Sequence, residues 1–264
     1  VSDVGGRESL GIRIAEGFKV SGELRDYENA ADQGTINVFG RNSTGMLALK
    51  GAIIHNNGDG VINVGNNKDT GDYRRTGMQV ENGARAILSD NSRINLVGDN
   101  AIGVYARSGG KVEVKDNAQV LGLGEKNEFT NQTLFWTSGY NTETGDSAVT
   151  FTDGGNVTFD LNGQQSTVFR IDGGASFGLD NSTASDDRYI LNVHGDESRG
   201  FLVADVLTRV IADDSVELNI HGEGATGFYV TSGAGTGGEG TKEAGVVKLT
   251  EGAKISLKGK DATA

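Results

Sequence analysis

The 264 residues include no cysteine, no proline and a single tryptophan. Without cysteine the chain has no disulfides, no thiolate metal site and no cysteine nucleophile, and its redox compartment stays open. Proline removes an N–H from a sheet ladder, so its absence suits segments that are paired on both sides. Basic residues are also outnumbered, 24 Lys and Arg against 36 Asp and Glu, for a net charge of −12. That balance argues against a nucleic-acid partner, which needs a clustered basic surface. No apolar run approaches the ~20 residues of a membrane helix, and no signal-peptide pattern accompanies the opening VSDVGG.

Glycine is what the chain has in excess, 42 residues, where a share near 7% is usual. The glycines follow no G-X-Y period, which excludes collagen, but they do repeat. INVFGRNSTGMLAL, INLVGDNAIGVYAR, LNVHGDESRGFLVA and LNIHGEGATGFYVT share one pattern, with glycine pairs Gly40/Gly45, Gly98/Gly103, Gly195/Gly200 and Gly222/Gly227. GRESLGIRI adds Gly6/Gly11, while Gly65, Gly124, Gly163 and Gly259 share only the preceding run. A third run, as in AILSDNS, VEVKDNA and VIADDS, ends in a short polar turn. The unit is therefore three short strands and three turns, and from Gly40 onward its anchors lie 25 to 39 residues apart.

Such a unit cannot bury its apolar face alone, but stacked units form a continuous core. Met46/Ala48, Met78/Val80, Val104/Ala106, Phe169/Ile171, Phe201/Val203 and Phe228/Val230 recur at the same two positions, so they are expected to point inward in columns. Out of phase with them stand Asn37, Asn95, Asp160, Asn192, Asn219 and Ser256, expected on the outer face as a hydrogen-bonded ladder, with turn-capping chemistry an equally ordinary role for some of them. The expected fold is all-β: a right-handed parallel β-helix with three strands per rung and about eight rungs. It forms one domain over 1–264, with loop insertions near 66–76, 125–148 and 231–244. Even DVLTRVIADDS, the stretch closest to helical periodicity, reads as a strand from its place in the repeat.

The repeated INLVGDNAIGVYARSGGKVEVKDNAQV type of unit, the lack of cysteine and the Gly/Asn/Asp/Thr-rich turns resemble the passenger region of bacterial autotransporters, the type V secreted proteins. The resemblance covers nearly the whole chain and is one of pattern. It implies a cell-surface adhesin or self-associating protein displayed outside a Gram-negative bacterium. Its expected partners are host or bacterial surface proteins or glycans, or a second copy, with attachment through a C-terminal outer-membrane β-barrel. The chain stops at KISLKGKDATA within a rung, which reads as a passenger fragment.

Several motifs point elsewhere when taken alone. Gly222, Gly224 and Gly227 are spaced as a dinucleotide fingerprint, but FYVT follows where a phosphate-binding helix is required. TGDSA resembles the Gly-Asp-Ser of trypsin-like proteases, yet Ala148 replaces the glycine after the serine, and the only histidines are His55, His194 and His221. Asp180, Asp186 and Asp187 have the oxygen ligands calcium takes, as acidic loops commonly do. GAGTGGEGTKEAG approaches a calcium repeat but carries Lys242 where the carboxylate belongs. No cofactor is expected and no enzyme. The alternative function is a carbohydrate-active β-helix enzyme, a lyase or hydrolase, although no carboxylate pair is singled out by spacing.

Two insertions supply the candidate ligand-binding residues. EKNEFTNQTLFWTSGYNTETGDS holds Phe129, Phe135, Trp136 and Tyr140, and aromatic side chains on a loop offer binding area at low entropy cost. The same aromatics are equally suited to fold back over the rod. NNKDTGDYRRTG brings Tyr73, Arg74 and Arg75 together in an acidic chain, suited to an anionic glycan or a partner chain, or simply to solvating a loop.

Overall fold

The computed structural model describes residues 2–4, 10–14, 19–20, 23–24, 26–28, 34–65, 74–141, 145–152, 156–179, 188–205, 208–212, 216–231, 246–249 and 253–264. The three runs of each repeat are three strands, one in each of three parallel sheets. Among the described residues the first sheet has nine strands, from Ser2–Val4 to Lys254–Leu257; the second has eight, from Leu10–Ile14 to Thr226–Thr231; the third has eight, from Asp26–Glu28 to Val246–Leu249. The chain visits the sheets in turn, so one strand from each makes a rung. Among the described residues, eight complete rungs and the first strand of a ninth form a parallel β-helix, as the repeat requires. Arg209–Ala212, from the stretch closest to helical periodicity, is a strand of the third sheet.

The interior is built from the columns. Met46, Met78 and Val104 stack in register, followed by Phe135, Phe169, Phe201 and Phe228. Successive phenylalanine rings lie 5.2, 5.1 and 4.7 Å apart, close to the ~4.8 Å separation of adjacent strands. In the middle of the rod Phe151 from the third sheet and Phe159 from the first meet Phe135 edge-on, at 5.7 and 5.6 Å. Each sheet thus sends a ring to the axis, which is an arrangement aromatic pairs favour. Val230 departs from expectation: Thr226–Thr231 is the last strand of its sheet, and Val230 is 49% exposed.

The asparagine ladder forms on the outer face of the first sheet. Asn63 donates to Asn37, Asn95 to Asn63, Asn192 to Asp160 and Asn219 to Asn192, at 2.8–3.1 Å. Asn63 belongs to it although it stands two residues before Gly65 rather than three. The ladder is interrupted at Leu121, which is in register with Asn95.

Glycine at the turn between first and second sheets has a different reason from a simple bend. A Cβ placed on Gly222 would overlap the carbonyl oxygen of Gly195 in the rung before it, so the residue is held to glycine by close stacking. The left-handed position is two residues later, at Gly224, where φ is 62°. Its equivalents are Asn42, Asn100, Gln165, Glu197 and Asp261, with φ between 50° and 57°. The middle glycine of the false fingerprint therefore fills a turn position that the repeat does use, one where Asn, Asp and Gly pay least strain.

Candidate functional site

The stretch expected as one insertion over 125–148 is divided by a core strand. Thr133–Ser138 belongs to the second sheet, between Ala101–Arg107 and Thr167–Asp172. Phe135 is 1% exposed and points into the phenylalanine column, so it is a core residue and not part of a loop surface. The repeat is hard to see here because Leu134 and, one rung later, Val168 stand where Gly103 and Gly200 stand in sister strands. The remaining signal is the period-two match of Phe135 and Thr137 to Val104 and Ala106.

Loop remains on both sides of that strand. Before it, Lys126 pairs with Asp196 at 2.8 Å, Asn127 donates to the same carboxylate at 2.6 Å, and Asp196 N–H donates to Asn127 Oδ1 at 2.8 Å. Lys126 is the main reason that the Asp196 carboxyl lies below its usual range, aided by the backbone N–H of Glu223. Pinned in this way, the loop buries Phe129, which is 5% exposed. After the strand, Tyr140–Asn141 pairs antiparallel with Gly145–Asp146; the side chain of Tyr140 lies outside the described residues. Ser147, the serine of TGDSA, is fully buried, accepts from Gly109 N–H and donates to the Ser138 carbonyl. Its hydroxyl closes a turn and is shut away from any substrate.

Trp136 alternates with Phe135 and so lies on the outer face of the second sheet, where it is the centre of a cluster. Its indole Nε1–H donates to Asp172 Oδ2 at 3.0 Å. Arg170 Nε donates to the same oxygen at 3.0 Å, and its guanidinium carbon is 4.0 Å from the indole centroid. Tyr105, from the neighbouring rung, is 4.6 Å from Trp136 between ring centroids. Arg74 reaches the same ring at 5.0 Å. Residues from both expected insertion regions therefore meet on one face. The covering side chains leave Trp136 only 7% exposed, while cation–π attraction holds both guanidiniums in place.

The other expected site residues lie apart from this cluster. Arg75 is fully buried, with Nε donating to the Phe39 carbonyl at 3.1 Å, so it serves the fold. Tyr73 lies outside the described residues, as do Asp180, Asp186, Asp187 and the 232–245 stretch. Among the described residues no group of three His, Asp or Glu side chains could hold a metal ion.

A second outer column runs beside the first sheet. His194 and His221 stack at 4.8 Å, and His194 Nε2 is 4.0 Å from Asp160 Oδ1. Burial, then the adjacent His194 and Lys258, hold the His221 imidazole below its ordinary pKa. Together the two columns supply polar and aromatic groups on the flank of the rod, while its axis is filled with apolar side chains.

The chain matches no protein-family model, and comparison with curated proteins and with solved structures gives no match.

Proposed function

We propose that this chain is the β-helical passenger portion of a cell-surface adhesin of a Gram-negative bacterium. It holds host or neighbouring-cell ligands through the flank of the rod. The reading is supported by the sequence pattern described above and by a core whose inward columns fill the axis, which leaves recognition to the outside. The observation that carries it is the Trp136 cluster, where Arg74, from one expected insertion, joins Arg170 and Tyr105 around the indole on one outer face. Each contact there is weak, and display of many copies on one cell multiplies such contacts through avidity.

The test is attachment and settling. Bacteria displaying the chain are expected to clump or to bind host cells, and cells displaying an unrelated β-helix are not. Equal settling and equal attachment in the two strains would end the adhesion reading.

A further inference from the structure

We propose that the outer face of the second sheet is a binding strip for an acidic polysaccharide, held at two arginine–aromatic stations. The proposal rests on the adhesion reading and names the ligand class for it. The first station is Trp136 with Arg74 and Arg170. The second is Tyr229, 45% exposed, with the Arg199 guanidinium carbon 4.9 Å from its ring centroid.

Both aromatics belong to one column. Tyr105, Trp136, Arg170, Leu202 and Tyr229 are successive register partners along the sheet. Three rungs separate Trp136 from Tyr229, or about 14 Å at the ~4.8 Å strand spacing. The stations therefore repeat one chemistry along a straight axis.

Among the described residues the guanidiniums keep unspent donors. Arg170 spends Nε on Asp172, and among the described residues neither its Nη atoms, nor Arg74, nor Arg199 takes part in a hydrogen bond or ion pair with a carboxylate. A planar fork with unused N–H donors matches the oxygens of a carboxylate or sulfate. The only acidic side chains directed outward from the described part of this sheet are Asp172 and Glu81. Asp172 is 8% exposed and already accepts from Trp136 and Arg170; Glu81 pairs with Arg107 at 3.0 Å and accepts from Gln79.

Of the four arginines on this face, Arg107 and Arg170 offset Glu81 and Asp172, which leaves Arg74 and Arg199 as its excess positive charge on a chain of net charge −12. Repulsion elsewhere on the surface steers a polyanion to this face. A stiff linear polymer that repeats its anion fits two fixed stations without first being ordered, whereas an acidic peptide would lose conformational entropy to match them.

Trp136 is the sole tryptophan, so its fluorescence reports the first station directly. The full chain is titrated with oligogalacturonate, with a heparin-derived oligosaccharide and with maltohexaose, by fluorescence and by calorimetry. Both acidic probes, or one of them, are expected to bind and to change the emission, with an affinity that falls as salt rises; the stronger of the two tells carboxylate from sulfate. Maltohexaose is expected not to bind. Arg74→Gln, which breaks no hydrogen bond among the described residues, and Arg170→Gln are expected to weaken the acidic probe by roughly tenfold. Arg199→Gln is expected to weaken long oligomers and leave dimers unchanged.

The strip is overturned if neither acidic probe binds better than maltohexaose, or if Arg74→Gln and Arg199→Gln bind like the parent while melting like it. Displayed cells separate this failure from that of the adhesion reading. Cells that still attach when these arginines are replaced contradict the strip alone, and parent cells that do not attach contradict adhesion whatever the strip binds.

Discussion

Asp172 Oδ2 accepts two hydrogen bonds at 3.0 Å, one from the Trp136 indole on the adjacent strand and one from Arg170 Nε on its own. One buried oxygen thereby fixes both members of a cation–π pair. Asp172→Ala leaves the indole N–H without its acceptor, which costs about 1–3 kcal/mol, and Asp172→Asn, which keeps a carbonyl acceptor, costs less. Denaturant midpoints measure the order, and the Trp136 emission is expected to shift only in the alanine variant. Equal midpoints for the two variants would mean that the oxygen holds nothing.

Phe135→Ala removes the ring on which Phe151, Phe159 and Phe169 converge. A loss of about 3–5 kcal/mol is expected from such a cavity, read as a lowered thermal midpoint. Trp136→Ala is expected to lower stability as well, since the indole is covered and hydrogen-bonded. It is for that reason a poor probe of binding, and Arg74→Gln, whose side chain makes no described hydrogen bond, is the cleaner one.

Two glycines of the same turn separate packing from backbone strain. Gly222→Ala drives a methyl into the Gly195 carbonyl of the preceding rung and is expected to destabilise by more than 1 kcal/mol, roughly as overpacking does. Gly224→Asn places in the left-handed position the residue found at Asn42 and Asn100, and is expected to melt within a few degrees of the parent. If the two variants melted alike, stacking would not be what holds Gly222.

The pH dependence of His221 follows from the direction of its shift. Its folded pKa lies below the unfolded value near 6.5, so the unfolded chain binds the proton more readily. The stability it contributes is whole above about pH 6.5 and is lost as pH falls from there through the folded pKa. Between pH 7 and 5 the parent is expected to lose more stability than His221→Asn, the residue that Asn162 supplies two rungs earlier. Parallel stability curves for the two proteins would remove His221 as the source.

Much of the rod was legible in the sequence because a solenoid repeats its physical demands. The glycine pairs, the inward columns and the outer asparagines recur once per rung, and each recurrence is a nearest-neighbour contact in space. Legibility failed where a rung met the demand differently. Leu134 in place of glycine concealed the strand that carries Phe135 and Trp136, and Asn63 stood one residue off its anchor. The meeting of Arg74 with Trp136 is a relation between separate rungs, and it required the register of the stacked strands. Arg75, beside Arg74 in the sequence, is taken into the interior by the Phe39 carbonyl, a distinction that no local pattern carries.

Charge reversal on the second sheet tests the surface reading most directly. Cells displaying Arg74→Glu/Arg199→Glu are compared with the parent for attachment to host cells and for settling, with purified chains melted in parallel. The expected result is attachment cut by about tenfold or more, with a melting temperature within a few degrees of the parent. Undiminished attachment by a folded double variant would contradict recognition through this face.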